Sequence, residues 1–356
     1  MGRTGLCFRI TATYVGTVIG AGFASGQEII QFFTHLGLPG FWGIGLAAIL
    51  FAFFGFLILL LAEQFQSHSY GELLESICGK KIGRLMDFFI TLFLLGGLCV
   101  MLAGGGAVFA EHLGFSSTIG IFLTAVIVVG TVIFGIQGVM LANSVIVPIM
   151  ILSTLLVNYL VVSERGWHFQ LAPMVDGLNT DNWILSTLLY VAYNMTLSLG
   201  VLASLGRGIK EQGTVYWGGI TGGLILGGLI FVNNLSIAAY YPEIVTYQIP
   251  MLYVASHYGT GLQLLYILVL WLEMITTAIG NVYGFAKKIE LLFNWNYKRI
   301  VIASVLLALP FSFWGFAHLV GFLYPLFGYL SLFFLLFLFS SFLRRVFLPF
   351  LPKRKA

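Results

Sequence analysis

Two carboxylates set in apolar runs carry the chemistry this sequence offers. Glu273 lies about twelve residues into the apolar run 261–288, and Thr276, Thr277 and Asn281 follow at i+3, i+4 and i+8, so the four share one helical face. An acid at that depth is costly unless it binds a cation, carries a proton or finds a hydrogen-bond partner. The second carboxylate, Glu28, shares a face with Gln31 and His35 at i, i+3 and i+7. It follows Gly20-Ala21-Gly22-Phe23-Ala24-Ser25-Gly26, where three glycines and a serine in seven positions weaken a helix. Two readings fit that run: close helix packing through small residues, or a backbone opened to present N–H and carbonyl groups to a ligand. A third polar group gathers in Tyr190-Val191-Ala192-Tyr193-Asn194-Met195-Thr196-Leu197-Ser198-Leu199-Gly200, between apolar turns.

The elements that hold these residues must be membrane helices. Of 356 residues, 59% are apolar and 8% charged, too few charges to coat a soluble surface. A span takes about 20 apolar residues, so ten spans fill the chain and leave no room for a large extramembrane domain. Soluble enzymes, nucleic-acid binders and disulfide scaffolds are excluded, and Cys7, Cys78 and Cys99 are an odd set without metal-like spacing. The apolar runs fall at 6–36, 40–66, 84–111, 116–136, 139–163, 181–209, 214–241, 261–288, 299–316 and 319–343. With the N-terminus in the cytoplasm, Arg165 alone of the seventeen Lys and Arg residues falls outside. That pattern predicts ten spans in the cell inner (cytoplasmic) membrane with both termini cytoplasmic.

The runs divide into a first five-helix repeat, 1–163, an external connection, 164–180, a second five-helix repeat, 181–343, and a basic cytoplasmic tail, 344–356. An odd number of crossings per half inverts the second half relative to the first, the layout of inverted-repeat secondary transporters. Helices 1 and 6 are then expected to be interrupted at mid-membrane. The breaks would lie at Gly20–Gly26 and within Tyr190–Gly200, with Gly20–Gly26 beside Tyr193–Ser198, half-helix N-termini attracting a carboxylate and freed carbonyls a cation. Gly219, Gly223 and Gly227, and the cluster Gly104–Gly106, read as packing surfaces. The mixed segments 67–83 and 242–258 read as short interfacial helices, the second broken by Pro242 and Pro250.

The opening Thr13-Tyr14-Val15-Gly16-Thr17-Val18-Ile19-Gly20-Ala21-Gly22-Phe23-Ala24-Ser25-Gly26-Gln27-Glu28 resembles that of the YkvI-type bacterial membrane proteins. That family is similar to the amino acid–polyamine–organocation (APC) superfamily, which has the LeuT fold. The resemblance implies an all-α integral membrane protein of ten transmembrane helices in a 5+5 inverted repeat. It also implies a sodium site between the first and eighth helices, completed by Thr17 and Gly20 in the first and by Glu273, Thr276 and Thr277 in the eighth. Proton-coupled relatives often carry a lysine on the fifth helix, and the run 139–163 has none.

The resulting expectation is a symporter of a small amino acid or related organic amine, coupled to Na+ or H+, with no other cofactor. Its substrate site would draw on Gly20, Ala21, Gly22, Phe23, Ser25, Gly26, Glu28, Tyr193, Asn194 and Ser198. Phe23, Tyr193 and Tyr324 offer aromatic faces to a cationic head. The partners are the lipid bilayer and a small molecule, with no nucleic acid, and the sequence leaves the oligomeric state open. A ligand sensor on the same fold that binds without transporting is the alternative. An enzyme is not expected, because the six histidines fall near span ends or in loops and form no His-Glu-x-x-His pair.

Overall fold

The computed structural model describes residues 3–65, 70–134, 137–166, 182–206 and 212–347. The described chain is helical throughout its apolar runs, because in lipid each backbone N–H and C=O must be bonded within its own segment. The helices are α1 (Arg3–Val18), α2 (Ala21–Ser25), α3 (Gln27–Phe32), α4 (Leu38–Phe65), α5 (Tyr70–Cys78), α6 (Lys80–His112) and α7 (Ser117–Phe134). After them come α8 (Gln137–Arg165), α9 (Trp183–Gly206), α10 (Gln212–Ala238), α11 (Pro250–Ser256), α12 (Thr260–Phe293), α13 (Tyr297–Ser312) and α14 (Phe316–Phe347). Short 3₁₀ turns occupy Thr34–Leu36 and Glu243–Thr246.

Among the described residues, six stretches are long and apolar enough to cross a membrane: Leu38–Glu63, Lys80–His112, Val145–Arg165, Tyr216–Ala238, Thr260–Phe293 and Phe316–Leu343. Shorter apolar stretches lie at Ser117–Ile133 and Trp183–Leu199. Large apolar side chains such as Val126, Leu152 and Leu336 stand exposed on the outer faces, which suits hydrocarbon and not water. The chain is therefore an all-α, multi-pass membrane protein. The external connection and the basic tail lie mostly outside the described residues.

α4 lies against both α9 and α10, while α6 packs on α7, α12, α13 and α14. The seam between α4 and α10 explains the glycines spaced by four. A Cβ at Gly219 would come within 2.7 Å of Phe56 N, at Gly223 within 2.1 Å of Ala52 N, and at Gly227 within 2.2 Å of the Ala48 Cβ. Small residues let the two backbones approach that closely. The cluster in α6 serves the same end, with Gly104 against Met274 and Gly105 against Thr124.

The expected interruptions are resolved unequally. The first span is broken twice, after Val18 and at Gly26, but Ala21–Ser25 between the breaks forms a helical turn and is not unwound. The sixth is not broken, since α9 is one continuous helix from Trp183 to Gly206. Its polar side chains return to their own helix: Asn194 Nδ2 donates to Tyr190 O at 3.0 Å, Thr196 Oγ1 to Ala192 O at 2.9 Å and Ser198 Oγ to Met195 O at 3.2 Å. Back-bonding of this kind satisfies a buried polar side chain without opening the backbone.

Candidate functional site

The site begins where the first span loses its helix. The last turn of α1 closes with Ile19 N–H on Val15 O at 2.9 Å, and Gly20 is extended at φ −124°, ψ −171°. α2 makes a single turn, and Gly26, at φ 82°, bends the chain into α3. Only glycine fits there, because a Cβ would meet Met251 Cγ at 2.8 Å and Ile237 Cδ1 at 3.0 Å in addition to the left-handed backbone. Neighbouring helices donate to the carbonyls at the end of α2, where Phe23 O also accepts from Gly26 N–H at 3.0 Å. Phe23 O accepts from Asn233 Nδ2 of α10 at 3.2 Å, and Ala24 O accepts from Tyr266 Oη of α12 at 2.6 Å. Ser25 Oγ donates to Gly22 O at 2.6 Å and accepts from Gln27 N at 3.2 Å, so this hydroxyl braces the kink.

Glu28 stands in the first turn of α3 and is 6% exposed. Its Oε2 accepts from Tyr193 Oη at 2.5 Å. Its Oε1 folds over Gly22, where a Cβ would lie 1.8 Å from it and 3.2 Å from Tyr324 Oη. Rings close around the carboxylate. Tyr193 lies 5.1 Å from Tyr324, 5.6 Å from Tyr190, 5.7 Å from Phe32 and 6.4 Å from Phe93, centroid to centroid. Phe327 stacks on Phe93 at 3.7 Å, and the buried Tyr190 hydroxyl has no hydrogen-bond partner. A desolvated carboxylate walled by π-faces is suited to a cationic group.

Of the expected substrate residues, the structure brings Gly22, Glu28 and Tyr193 together, with Tyr324, one of the three aromatics named for a cationic head, beside them. Asn194 and Ser198 are buried but bond within α9, and Gly20, Ala21, Phe23, Ser25 and Gly26 act through the backbone of the kink. Sequence reasoning missed Phe32, Phe93, Tyr190 and Phe327, for which a chain with 16% aromatic residues gives no local signal. Tyr266 and Asn233 were also missed, although each left a trace: Tyr266 is seven residues before Glu273 on the same helical face, and Asn233-Asn234 is an amide pair inside an apolar run.

Glu273 is 4% exposed, and its Oε2 has no hydrogen-bond partner. Thr276 Oγ1 donates to Glu273 O at 3.0 Å, Thr277 is half-buried, and Thr17 Oγ1 donates to Thr13 O at 2.7 Å. Each hydroxyl keeps an oxygen lone pair for a further partner. Among the described residues no three His, Cys, Asp or Glu side chains gather as a transition-metal site would.

The two ends of the bundle differ. On one side the segment 242–258 is tied down: Glu111 accepts from Gln248 N at 2.8 Å and Ile249 N at 3.3 Å, Gln248 Oε1 accepts from Phe316 N at 2.7 Å, and Met251 presses on Gly26. At the end marked by the C-terminus of α12, a cavity of about 500 Å³ reaches Thr196 and Leu197 of α9. The ion pair of Lys288 with Asp87 stands in its wall.

No family model matches the chain. It is 31% identical over 334 residues to the uncharacterized membrane protein YkvI of Bacillus subtilis (strain 168), covering 93% of this chain and 94% of that one. It is 28% identical over 321 residues to the uncharacterized protein YyaD of the same organism, covering 90% and 92%. Among solved structures, MhsT in complex with L-phenylalanine matches with a TM-score of 0.60 at 15% identity, over 94% of this chain and 88% of that one. The inward-facing conformation of Mhp1 gives 0.59 at 15% identity over 91% and 73%, and a Na+-coupled sialic acid symporter in its outward-open state gives 0.55 at 10% identity over 89% and 72%. The chain belongs to the YkvI family of membrane proteins and has the LeuT-type fold.

Proposed function

We propose that this protein is a cation-coupled secondary transporter of a small amino acid or related organic amine. The observation that carries the reading is a pair of buried carboxylates, Glu28 within the broken first span and Glu273 on α12, the helix whose Tyr266 bonds Ala24 O in that span. Glu28, in its aromatic wall, would take the ammonium group of the substrate. The substrate's carboxylate, where it has one, would face the backbone N–H groups at the start of the α2 turn, which a helix leaves without partners of its own.

Glu273 would serve the coupling ion. Tyr266 reaches Ala24, and Glu273 lies two turns further along the same face of α12, about 10 Å away. Ala24 to Gly20 is about 6 Å of helix, so an antiparallel α12 would bring Glu273 near the level of the gap between α1 and α2. Carbonyls at the end of α1 near Thr17 and Gly20, with the hydroxyls of Thr276 and Thr277, would then complete an oxygen cage for Na+. A proton on Glu273 is the other form of the same site. The transport cycle follows alternating access around this centre. The ten-span 5+5 arrangement, with repeats at 1–163 and 181–343 and both termini in the cytoplasm, belongs to the same proposal.

A thermal-shift screen of amino acids and amines on the purified protein is the first test, since a ligand of the folded state adds stability by mass action. The best ligand should then accumulate in proteoliposomes under an imposed Na+ or H+ gradient. Saturable binding without accumulation under either gradient would replace the transporter by a sensor.

A further inference from the structure

A second cavity, of about 650 Å³, lies away from the transport site, between the C-terminal end of α12 and the start of α13. Its walls are apolar stripes, with Ile289 and Phe293 from α12 facing Ala303 and Leu307 from α13. Each stripe follows helical spacing, so the groove runs about two turns, or ~12 Å, along the bundle. Phe293 and Leu307 are exposed on the outer surface, and the groove therefore opens towards hydrocarbon.

Its end is polar. The turn Asn294-Trp295-Asn296 closes it, and Arg299 lines it one turn into α13. Asn296 Oδ1 caps that helix by accepting from Arg299 N at 3.3 Å, which directs the opening turn of α13 into the cavity mouth. Among the described residues the Arg299 guanidinium makes no ion pair, and no acid lines the cavity. The nearest acid in sequence, Glu290, is held by Lys287 at 2.8 Å. Charge, shape and exposure agree: an apolar channel open to lipid ends at an unneutralised arginine beside an exposed tryptophan, at a helix end where headgroups lie.

The geometry points to a bound anionic phospholipid, with its phosphate on Arg299 and an acyl chain along the α12–α13 groove. The inference rests on the membrane reading of the chain and is independent of transport. Such a lipid would pin α13 to α12, the helix that carries Glu273.

The test uses the full-length protein, delipidated in neutral detergent, with dioleoylphosphatidylglycerol and dioleoylphosphatidylcholine as probes read by native mass spectrometry and thermal stability. The anionic lipid should bind saturably and at least about tenfold more tightly than the zwitterionic one, as a charge-assisted contact to arginine implies. Arg299→Gln should bring the two lipids level, Arg299→Lys should keep part of the preference, and Ala303→Trp, which fills the groove, should weaken both. Arg84→Gln, an exposed arginine on α6, should change nothing. Glycerol phosphate, which has the anion without the chain, should not stabilise the protein. Equal binding of the two lipids by the unaltered protein, an unchanged preference in Arg299→Gln, unchanged affinity in Ala303→Trp, or stabilisation by glycerol phosphate equal to that by the lipid would each overturn the assignment.

Discussion

The first span and α9 have the same kind of sequence and opposite structures. Both place glycine, hydroxyl and amide residues between apolar turns, yet the first breaks twice and α9 runs unbroken through Asn194, Thr196 and Ser198. The difference lies in partners. In α9 each of these polar side chains bonds a carbonyl three or four residues back, so the backbone gains nothing by opening. In the first span the carbonyl of Ala24 meets Tyr266 and that of Phe23, already bonded by Gly26 N–H, meets Asn233 as well, both donors coming from other helices, and Gly26 adopts a backbone conformation that other residues rarely take. A buried break therefore needs donors from outside as well as weak helix formers within.

Substitutions should separate the two regions, with effects that decline in order. Gly26→Val combines a left-handed backbone with overlap on Met251 and Ile237, and should cost about 2–4 kcal/mol in denaturation of the purified protein. A loss below about 1 kcal/mol would show that the kink is dispensable. Tyr193→Phe removes the donor to the buried Glu28 carboxylate and should cost about 1–3 kcal/mol, with weaker ligand binding in the same protein. Gly22→Ala should act differently, because the atom in its way is the end of a flexible side chain: the fold should survive while Glu28 is displaced and ligand affinity falls. At the small end, Ser198→Ala removes only a bond within α9 and should cost less than about 1 kcal/mol. An effect of Ser198→Ala as large as that of Gly26→Val would erase the contrast between the two regions.

The helices themselves were legible, because apolar length alone dictates them: the run 139–163 is matched by Gln137–Arg165 and 40–66 by Leu38–Phe65. A weakness of the helix within Gly20–Gly26 was also legible from its glycine density, but the expectation of a non-helical run was not met, since Ala21–Ser25 keeps a helical turn. What the sequence hid was satisfaction. Nothing local tells that Asn194 bonds its own helix while Asn233 bonds another, as both are amides inside apolar runs. The carboxylates announced themselves by their cost in an apolar setting, but the ring wall around Glu28 comes from α3, α6, α9 and α14 and has no signature in any one of them.

The most direct test of the coupling role assigned to Glu273 is accumulation of the screened ligand in proteoliposomes, comparing the unaltered protein with Glu273→Gln under imposed Na+ and H+ gradients at matched ionic strength. The unaltered protein should concentrate the ligand under one of the gradients. The variant should concentrate it under neither, while still binding it or exchanging it across the bilayer, because the Glu28 site is intact and only the cation link is lost. Ion-driven accumulation by Glu273→Gln at the unaltered level would contradict the account and remove Glu273 from the mechanism.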